Sequence, residues 1–241
     1  MIDVHAHIIP NIDDGSKSVE ETFNLINEAK EAGFTDIILT PHYITNYYET
    51  PGAEVKFWTE ALQKIANEKN LKINLHPGME IYISEELSDL AKDGTVITLA
   101  NSKYILIEFP MNTTMRNVDE ILFIMRNMGY KIIIAHPERY KCIQENVEYA
   151  MQLVEEGCML QSNYGSIVDI YGKEAKKTLK KLLKMDLVSF FGTDTHKEGT
   201  IYQIMPQILK KLRKTISEEK LYEITTENPR KILENQDKKT V

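Results

Sequence analysis

The chain opens Met1-Ile2-Asp3-Val4-His5-Ala6-His7, and its two histidines are spaced to hold one metal ion between them. On an extended strand, successive side chains point to opposite faces, so residues two apart share a face and His5 and His7 can reach a common point. On a helix they would diverge. Neutral imidazole is a ligand for zinc, manganese and iron. Alone, the pair is equally compatible with two structural histidines near a strand end. Further ligand-capable residues recur along the chain: Asp13-Asp14-Gly15, Pro41-His42, Gly78-Met79-Glu80, Glu108-Phe109-Pro110, His136-Pro137-Glu138-Arg139 and Asp194-Thr195-His196.

As donors, His5, His7, Asp14, His42, Glu80, Glu108, His136, Asp194 and His196 are imidazoles and carboxylates without a thiolate, a set that suits Mn, Fe or Zn and disfavours a structural cysteine-zinc site. One catalytic zinc typically takes about three protein ligands. The set therefore implies two or three divalent ions, with a carboxylate such as Glu80 bridging. A multi-ion centre lowers the pKa of a bridging water and clamps both ends of an in-line displacement at phosphorus. Arg139 follows His136 closely, and its planar fork can grip two phosphate oxygens at once, which lysine cannot do. The competing reading is a surface arginine paired with Glu138 or Glu145.

Several neighbours are weighed separately. Asp13-Asp14-Gly15 is also a turn signal, because Asp and Gly both favour turns. His76, before Pro77, reads as a packed histidine and is left out of the ligand set. Tyr43, Tyr47 and Tyr48 follow His42 and could rim the mouth of a site and stack on an aromatic substrate. Asn163 and Tyr164 either orient a water or phosphate or begin a helix, and Asn163 is read as a helix cap.

The elements that must position these residues alternate between apolar β-branched runs and helical patterns, the signature of βα units and a parallel sheet. Seven strands are expected near Ile2 to His7, Asp36 to Thr40, Lys72 to His76, Tyr104 to Glu108, Lys131 to Ala135, Met159 to Ser162 and Leu187 to Gly192. Amphipathic stretches fall at Val19 to Ala32, Ala53 to Glu68, Asn117 to Met128, Asn146 to Glu156 and Lys173 to Lys184. Glycine caps are expected at Gly33 and Gly157. Ser217 to Glu227 and a short helix from Asn228-Pro229 close the chain. Function in such sheets collects at the carboxyl ends of the strands, and each expected strand is followed by a polar or ligand-capable residue. Five of the 6 histidines sit at these handovers. Scattered structural histidines have no reason to select one edge, so the metal reading outweighs the structural one for the set.

Composition narrows the partners. The formal charge of -7 leaves no electrostatic footprint for nucleic acid. The lysine-rich stretches from Lys173 to Lys184 and Lys210 to Lys214 read as solvated helix faces. No apolar run approaches membrane-spanning length, and no signal-peptide pattern precedes the first strand. Cys142 and Cys158 fit no metal spacing and read as reduced thiols, so a cytoplasmic location is expected. At 241 residues the chain suits a single domain, 1–241, built as one α/β barrel.

Taken in order, the blocks from His5-Ala6-His7-Ile8-Ile9-Pro10 and Asp13-Asp14-Gly15 through Thr40-Pro41-His42, Gly78-Met79-Glu80, Ile107-Glu108-Phe109-Pro110, Ala135-His136-Pro137-Glu138-Arg139-Tyr140, Ser162-Asn163-Tyr164-Gly165-Ser166 and Gly192-Thr193-Asp194-Thr195-His196 carry a family likeness. The chain resembles the polymerase and histidinol phosphatase (PHP) superfamily. Within it, the chain is most similar to the manganese-dependent bacterial protein-tyrosine phosphatases of capsule and exopolysaccharide systems.

That resemblance implies a distorted (β/α)7 TIM-like barrel of the PHP type, a trinuclear centre with Mn favoured over Fe, Zn or Co, and hydrolysis of phosphotyrosine on the C-terminal tail of a bacterial tyrosine-autokinase. It implies one ion on His5, His7, Glu80 and Asp194, a second on Glu80, Glu108 and His136, a third on Asp14, His42 and His196, and phosphate on Arg139. The expected reaction is attack of a metal-bridging hydroxide on phosphorus without a covalent phospho-enzyme. Tyrosine, with a pKa of about 10 against roughly 15.7 for water, is a good leaving group. Asp14, a histidine or a metal-bound water are the candidates to protonate it. One departure is that the segment Lys197 to Gln203 lacks the second arginine that many members carry. The rival functions are a histidinol-phosphatase-like phosphomonoesterase and a regulatory module that binds phosphotyrosine tails without turnover.

Overall fold

A computed structural model of the chain describes residues 1–112 and 117–235. Its strands are β1 (Ile2–Ala6), β2 (Asp36–Leu39), β3 (His42–Tyr43), β4 (Asn74–Pro77), β5 (Glu80–Tyr82), β6 (Tyr104–Glu108), β7 (Lys131–Ala135), β8 (Met159–Asn163) and β9 (Val188–Gly192). They form two sheets, ordered β1-β2-β4 and β3-β5-β6-β7-β8-β9, and all their pairings are parallel. Runs such as Tyr-Ile-Leu-Ile-Glu in β6 are buried throughout, as strands covered on both faces must be.

The expected second and third strands are each followed, beyond a break, by a further short strand. Proline at position 41 has no N–H to continue a ladder. At Gly78 an added Cβ would lie 2.8 Å from Ile38 Cγ2 and 2.9 Å from Leu99 Cδ2, so the backbone turns where a side chain would not fit. The pieces resume beyond these breaks as β3 and β5, and Glu80 N–H donates to the Pro41 carbonyl at 3.1 Å across them. The ring is joined between β9 and β1: Asp194 N–H donates to the His5 carbonyl at 2.8 Å and His7 N–H to the Thr195 carbonyl at 2.9 Å. The result is a distorted parallel α/β barrel of seven strand positions, two of them broken.

The helices are α1 (Val19–Glu31), α2 (Gly52–Glu68), α3 (Leu87–Lys92), α4 (Val118–Asn127), α5 (Lys141–Glu145), α6 (Glu148–Glu155), α7 (Lys173–Lys184), α8 (Met205–Leu212), α9 (Glu218–Tyr222) and α10 (Asn228–Glu234). Ser18 caps α1 by accepting from Glu21 N–H, and Gly33 and Gly157 follow α1 and α6 with φ of 91° and 92°. The large core lies between strands and helices. A smaller apolar group of Ile2, Val4, Leu106, Ile133 and Phe190 fills the space among the strands themselves. None of the described helices is long and apolar enough to cross a membrane.

β1 prepares the site by breaking its own alternation. Ile2 and Val4 belong to the inner apolar group, so regular pleating would turn Asp3, His5 and His7 away from it. The pairing with β2 slips between Asp3 and Ala6. Asp3 turns aside to accept from Thr193 Oγ1 at 2.6 Å and Tyr202 O–H at 2.7 Å, while His5 Nδ1 meets Gln161 Oε1 at 2.8 Å. Such a bulge re-aims the side chains that follow it.

Candidate metal centre

Strand ends bring all of the predicted ligands to one edge of the barrel. His5 Nε2 and His7 Nε2 lie 3.0 Å apart, and each is 3.1 Å from Glu80 Oε2. His42 Nδ1 reaches the same oxygen at 3.1 Å, and His136 Nε2 approaches Glu80 Oε1 at 2.8 Å. Asp194 Oδ1 stands 3.5 Å from both His5 Nε2 and His7 Nε2. Glu108 comes within 3.7 Å of His42 and His136. Toward the open side, Asp14 Oδ1 is 3.3 Å from His196 Nε2 and 3.6 Å from His42 Nε2.

Close packing against two glycines holds the first histidines in place. A Cβ on Gly15 would come within 2.7 Å of His7 Cβ, and one on Gly192 within 2.5 Å of His5 Cβ. His136 and Asp194 adopt left-handed backbone, with φ of 31° and 53°. Side-chain-bearing residues pay roughly 1–3 kcal/mol for such conformations, which persist where surrounding structure over-determines them.

Three groupings of donor atoms are compact enough to hold a cation: His5, His7, Glu80 and Asp194; His42, Glu80 and Glu108; and His7, Asp14, His42 and His196. Unpartnered atoms show that these residues suit a cation. Glu80 Oε2 and His42 Nδ1 are buried and only 3.1 Å apart, yet neither makes a hydrogen bond of acceptable geometry. A buried polar atom without a partner costs about 1–3 kcal/mol, and an ion between these donors would satisfy both.

The electrostatics are those of crowded like groups. Burial, followed by repulsion from Glu80 and Asp194, pushes Glu108 up to about 9. Burial also opposes ionisation of Glu80, but the His5 and His42 rings hold it well below the usual carboxylate range. Burial, aided by the Arg139 charge, lowers His136 to about 4. His7 moves the other way: burial opposes its charged form, but the close carboxylates of Asp13 and Glu80 outweigh burial and raise it well above the ordinary histidine value. The hydrogen bond from His196 holds Asp14 down at about 2.

Arg139 pairs with neither Glu138 nor Glu145. Its Nη1 donates to Asp194 Oδ2 at 2.7 Å, and its guanidinium lies 4.5 Å from the centre of the Tyr171 ring. Asn163 also departs from expectation, because its side chain caps no helix. Instead its Nδ2 donates to Asp194 Oδ2 at 2.7 Å and its Oδ1 accepts from Gln161 Nε2 at 2.9 Å. The amide is drawn inward because Asp194 and Gln161 offer it a buried acceptor and a buried donor.

Sequence reasoning did not find Gln161, Tyr171 or the roles of Asp13 and Glu138. Gln161 fixes the His5 ring, and Asp13 Oδ2 does the same for His7 Nδ1 at 2.8 Å. Both contacts leave Nε2 facing the centre, as ligating histidines require. Glu138 Oε1 accepts from Asn163 N–H at 2.8 Å and Ser166 Oγ at 2.7 Å, setting the turn that carries Asn163. Among these, only Asp13 gave a signal, as the partner of Asp14 before a glycine. His76 lies apart, 3.0 Å from Asp36 Oδ1, as a packed histidine should.

Comparison with known proteins agrees with this geometry. The sequence profile described as capsular polysaccharide synthesis, CpsB/CapC, matches residues 1–234. The chain belongs to the CpsB/CapC family. It is 34% identical to the tyrosine-protein phosphatase YwqE of Bacillus subtilis, over 98% of this chain and 92% of that protein. It is 31% identical to the tyrosine-protein phosphatase CpsB of Streptococcus pneumoniae, over 98% and 99% of the two chains. A solved structure from work on YwqE and CpsB, described there as unique metal-dependent tyrosine phosphatases, superposes with a TM-score of 0.90 at 32% identity, covering 98% of this chain and 95% of that one. A histidinol phosphate phosphatase from Lactococcus lactis shares the fold at 16% identity and a TM-score of 0.58, covering 89% of this CpsB/CapC member and 93% of the other chain.

Proposed function

We propose that this CpsB/CapC member is a metal-dependent protein-tyrosine phosphatase, formed by residues 1–241 as one domain. The observation that carries the reading is Glu80 Oε2, which has imidazole nitrogens of His5, His7 and His42 at 3.1 Å and no hydrogen bond from any of them. A carboxylate so placed is suited to bridge cations. His5, His7, Glu80 and Asp194 would hold one ion; Glu80, Glu108 and His136 a second, with His42 adjoining; Asp14, His42 and His196 a third, with His7 adjoining. Mn is the favoured metal, and Fe, Zn or Co suit the same donors. When bound, such ions supply Lewis-acid charge to the phosphoryl oxygens and lower the pKa of water enough to provide a nucleophile near neutral pH.

The chain's own residues bind and orient. Arg139 is held between Asp194 and Tyr171, and its fork would grip phosphate oxygens. Asp14 is the most exposed of the set at 53% and would line the face from which tyrosine departs. His42 stacks on Tyr48 with ring centres 6.0 Å apart and planes 8° from parallel, placing an aromatic surface beside that face. The family's link to capsular polysaccharide synthesis supports a cytoplasmic enzyme acting on the phosphotyrosine tail of a bacterial tyrosine kinase.

The test is an initial-rate comparison of a phosphotyrosine peptide and histidinol phosphate across Mn, Fe, Co and Zn. The peptide should turn over faster, best with Mn, and His136→Ala should abolish turnover. Faster hydrolysis of histidinol phosphate, or peptide binding without phosphate release, overturns the proposal.

A further inference from the structure

Beside the candidate centre lies a groove of about 500 Å³ whose lining includes the apolar Ile44, Tyr82 and Pro110 and the polar Thr45, Glu85 and Glu86. Its walls are the continuations of the strands that carry the ligands. Ile44 stands two residues after His42, Tyr82 two after Glu80 and Pro110 two after Glu108. The parallel register staggers these segments: His42 pairs with Glu80 and Tyr43 with Ile81, whereas Tyr82 lies level with Glu108 itself. Two residues of extended chain rise roughly 6.6 Å, so Tyr82 stands about that far along its strand from Glu80 and beside Glu108.

One lip is the turn from Ile44 to Tyr48, closed by Ile44 N–H donating to the Tyr48 carbonyl at 2.7 Å. It projects Tyr47, 73% exposed, with Tyr48 packed edge-on at 4.5 Å. The groove is also lined by Glu85 and Glu86, both exposed, at the start of α3. Neither carboxylate serves as a side-chain cap for that helix. Asn117 Nδ2 approaches Glu85 Oε1 at 3.5 Å, and among the described residues no lysine or arginine lines the groove. A groove lined by apolar side chains and two carboxylates is a poor place for a free phosphate ester and a good one for a polypeptide carrying a cation.

Resting on the phosphatase reading above, we infer that this groove takes the substrate polypeptide flanking the phosphotyrosine, with a lysine or arginine of that flank facing Glu85 and Glu86. The metal centre then reads the phosphate while the groove selects for positive charge beside it. A small aryl phosphate occupies only the centre.

Two phosphotyrosine peptides identical except for flanking lysines or glutamates separate these roles, with para-nitrophenyl phosphate as reference substrate on the Mn-loaded protein. Exposed ion pairs are worth about 0.2–1 kcal/mol each, so with two carboxylates the lysine peptide should be favoured in kcat/KM by about two- to thirtyfold. The double variant Glu85→Gln/Glu86→Gln, or about 0.5 M salt, should bring that ratio near one. The rate on para-nitrophenyl phosphate should not change in the variant, which also shows that it is folded. A ratio untouched by the double variant, or a preference for the glutamate peptide, overturns the groove assignment and leaves the phosphatase intact. Turnover of para-nitrophenyl phosphate with neither peptide hydrolysed overturns the protein-phosphatase reading itself.

Discussion

Two histidine-carboxylate clusters in this molecule use the same chemistry to opposite ends. Beside His76, both carboxylate oxygens find partners: Asp36 Oδ1 lies 3.0 Å from His76 Nε2 and accepts from Asn74 Nδ2 at 3.0 Å, and Asp36 Oδ2 accepts from Thr35 Oγ1 at 2.8 Å. Around Glu80, three imidazoles crowd one carboxylate oxygen, and that oxygen and His42 Nδ1 remain unpartnered. One carboxylate surrounded by matched donors stabilises the barrel locally. Donors and acceptors in excess of what they can satisfy among themselves form a receptor for a cation. Satisfaction, more than residue type, separates structure from function here.

The largest effect should come from breaking the crowded cluster at its centre. Glu80→Ala removes the oxygen that three rings share and should reduce phosphotyrosine turnover beyond the roughly 10- to 100-fold that loss of a supporting outer residue costs. Turnover measured alongside bound metal would contradict this if activity survived with full occupancy. Gln161→Leu removes the partner that fixes the His5 ring. It should weaken metal affinity by about 10- to 100-fold, read by titration with Mn, while leaving far-ultraviolet circular dichroism unchanged. An unchanged affinity would make Gln161 a packing residue only.

Protons sharpen the contrast next. Without ions, burial and the neighbouring carboxylates keep Glu108 protonated up to about 9, whereas an ordinary glutamate titrates at 4.5. The folded state therefore holds a proton that the unfolded chain has released, and rising pH between these values destabilises the ion-free protein. A cation must displace that proton, so the increase in Tm produced by Mn should be larger at pH 8 than at pH 6. Equal shifts at both pH values would sink the idea.

Arg139→Lys keeps the charge but loses the fork. KM for a phosphotyrosine peptide should rise about tenfold with a smaller change in kcat, in line with the cost of one charge-assisted hydrogen bond of roughly 1.5 kcal/mol. The smallest effect belongs to the satisfied cluster. His76→Ala should lower stability by about 1 kcal/mol in denaturant unfolding and leave turnover unaltered. A loss of activity there would erase the distinction between the two clusters.

Much of this protein was legible in its sequence. Hydrophobic runs bounded by turn residues located the strand positions, because a buried parallel strand must be apolar on both faces. The residues at their ends named the candidate ligands that the fold brings together, because parallel strands deliver all their carboxyl termini to one edge. Residue identity also determined the donor chemistry, nitrogen and oxygen without sulfur.

What tertiary structure alone decided is where each side chain points. The slip in β1 lets His5 face Gln161 although Val4 belongs to the inner apolar group, and no local pattern announces a slip that depends on pairing with β2. Asn163 was read as a cap because local propensity favours one, yet its side chain answers to Asp194, 31 residues away. Gln161, Tyr171 and Glu138 act through partners distant in the chain, so their roles arise only when the barrel brings those partners within hydrogen-bonding or stacking distance. Sequence supplies the inventory of groups. Closure of the barrel decides which of them are left unsatisfied, and those are the ones available to bind and react.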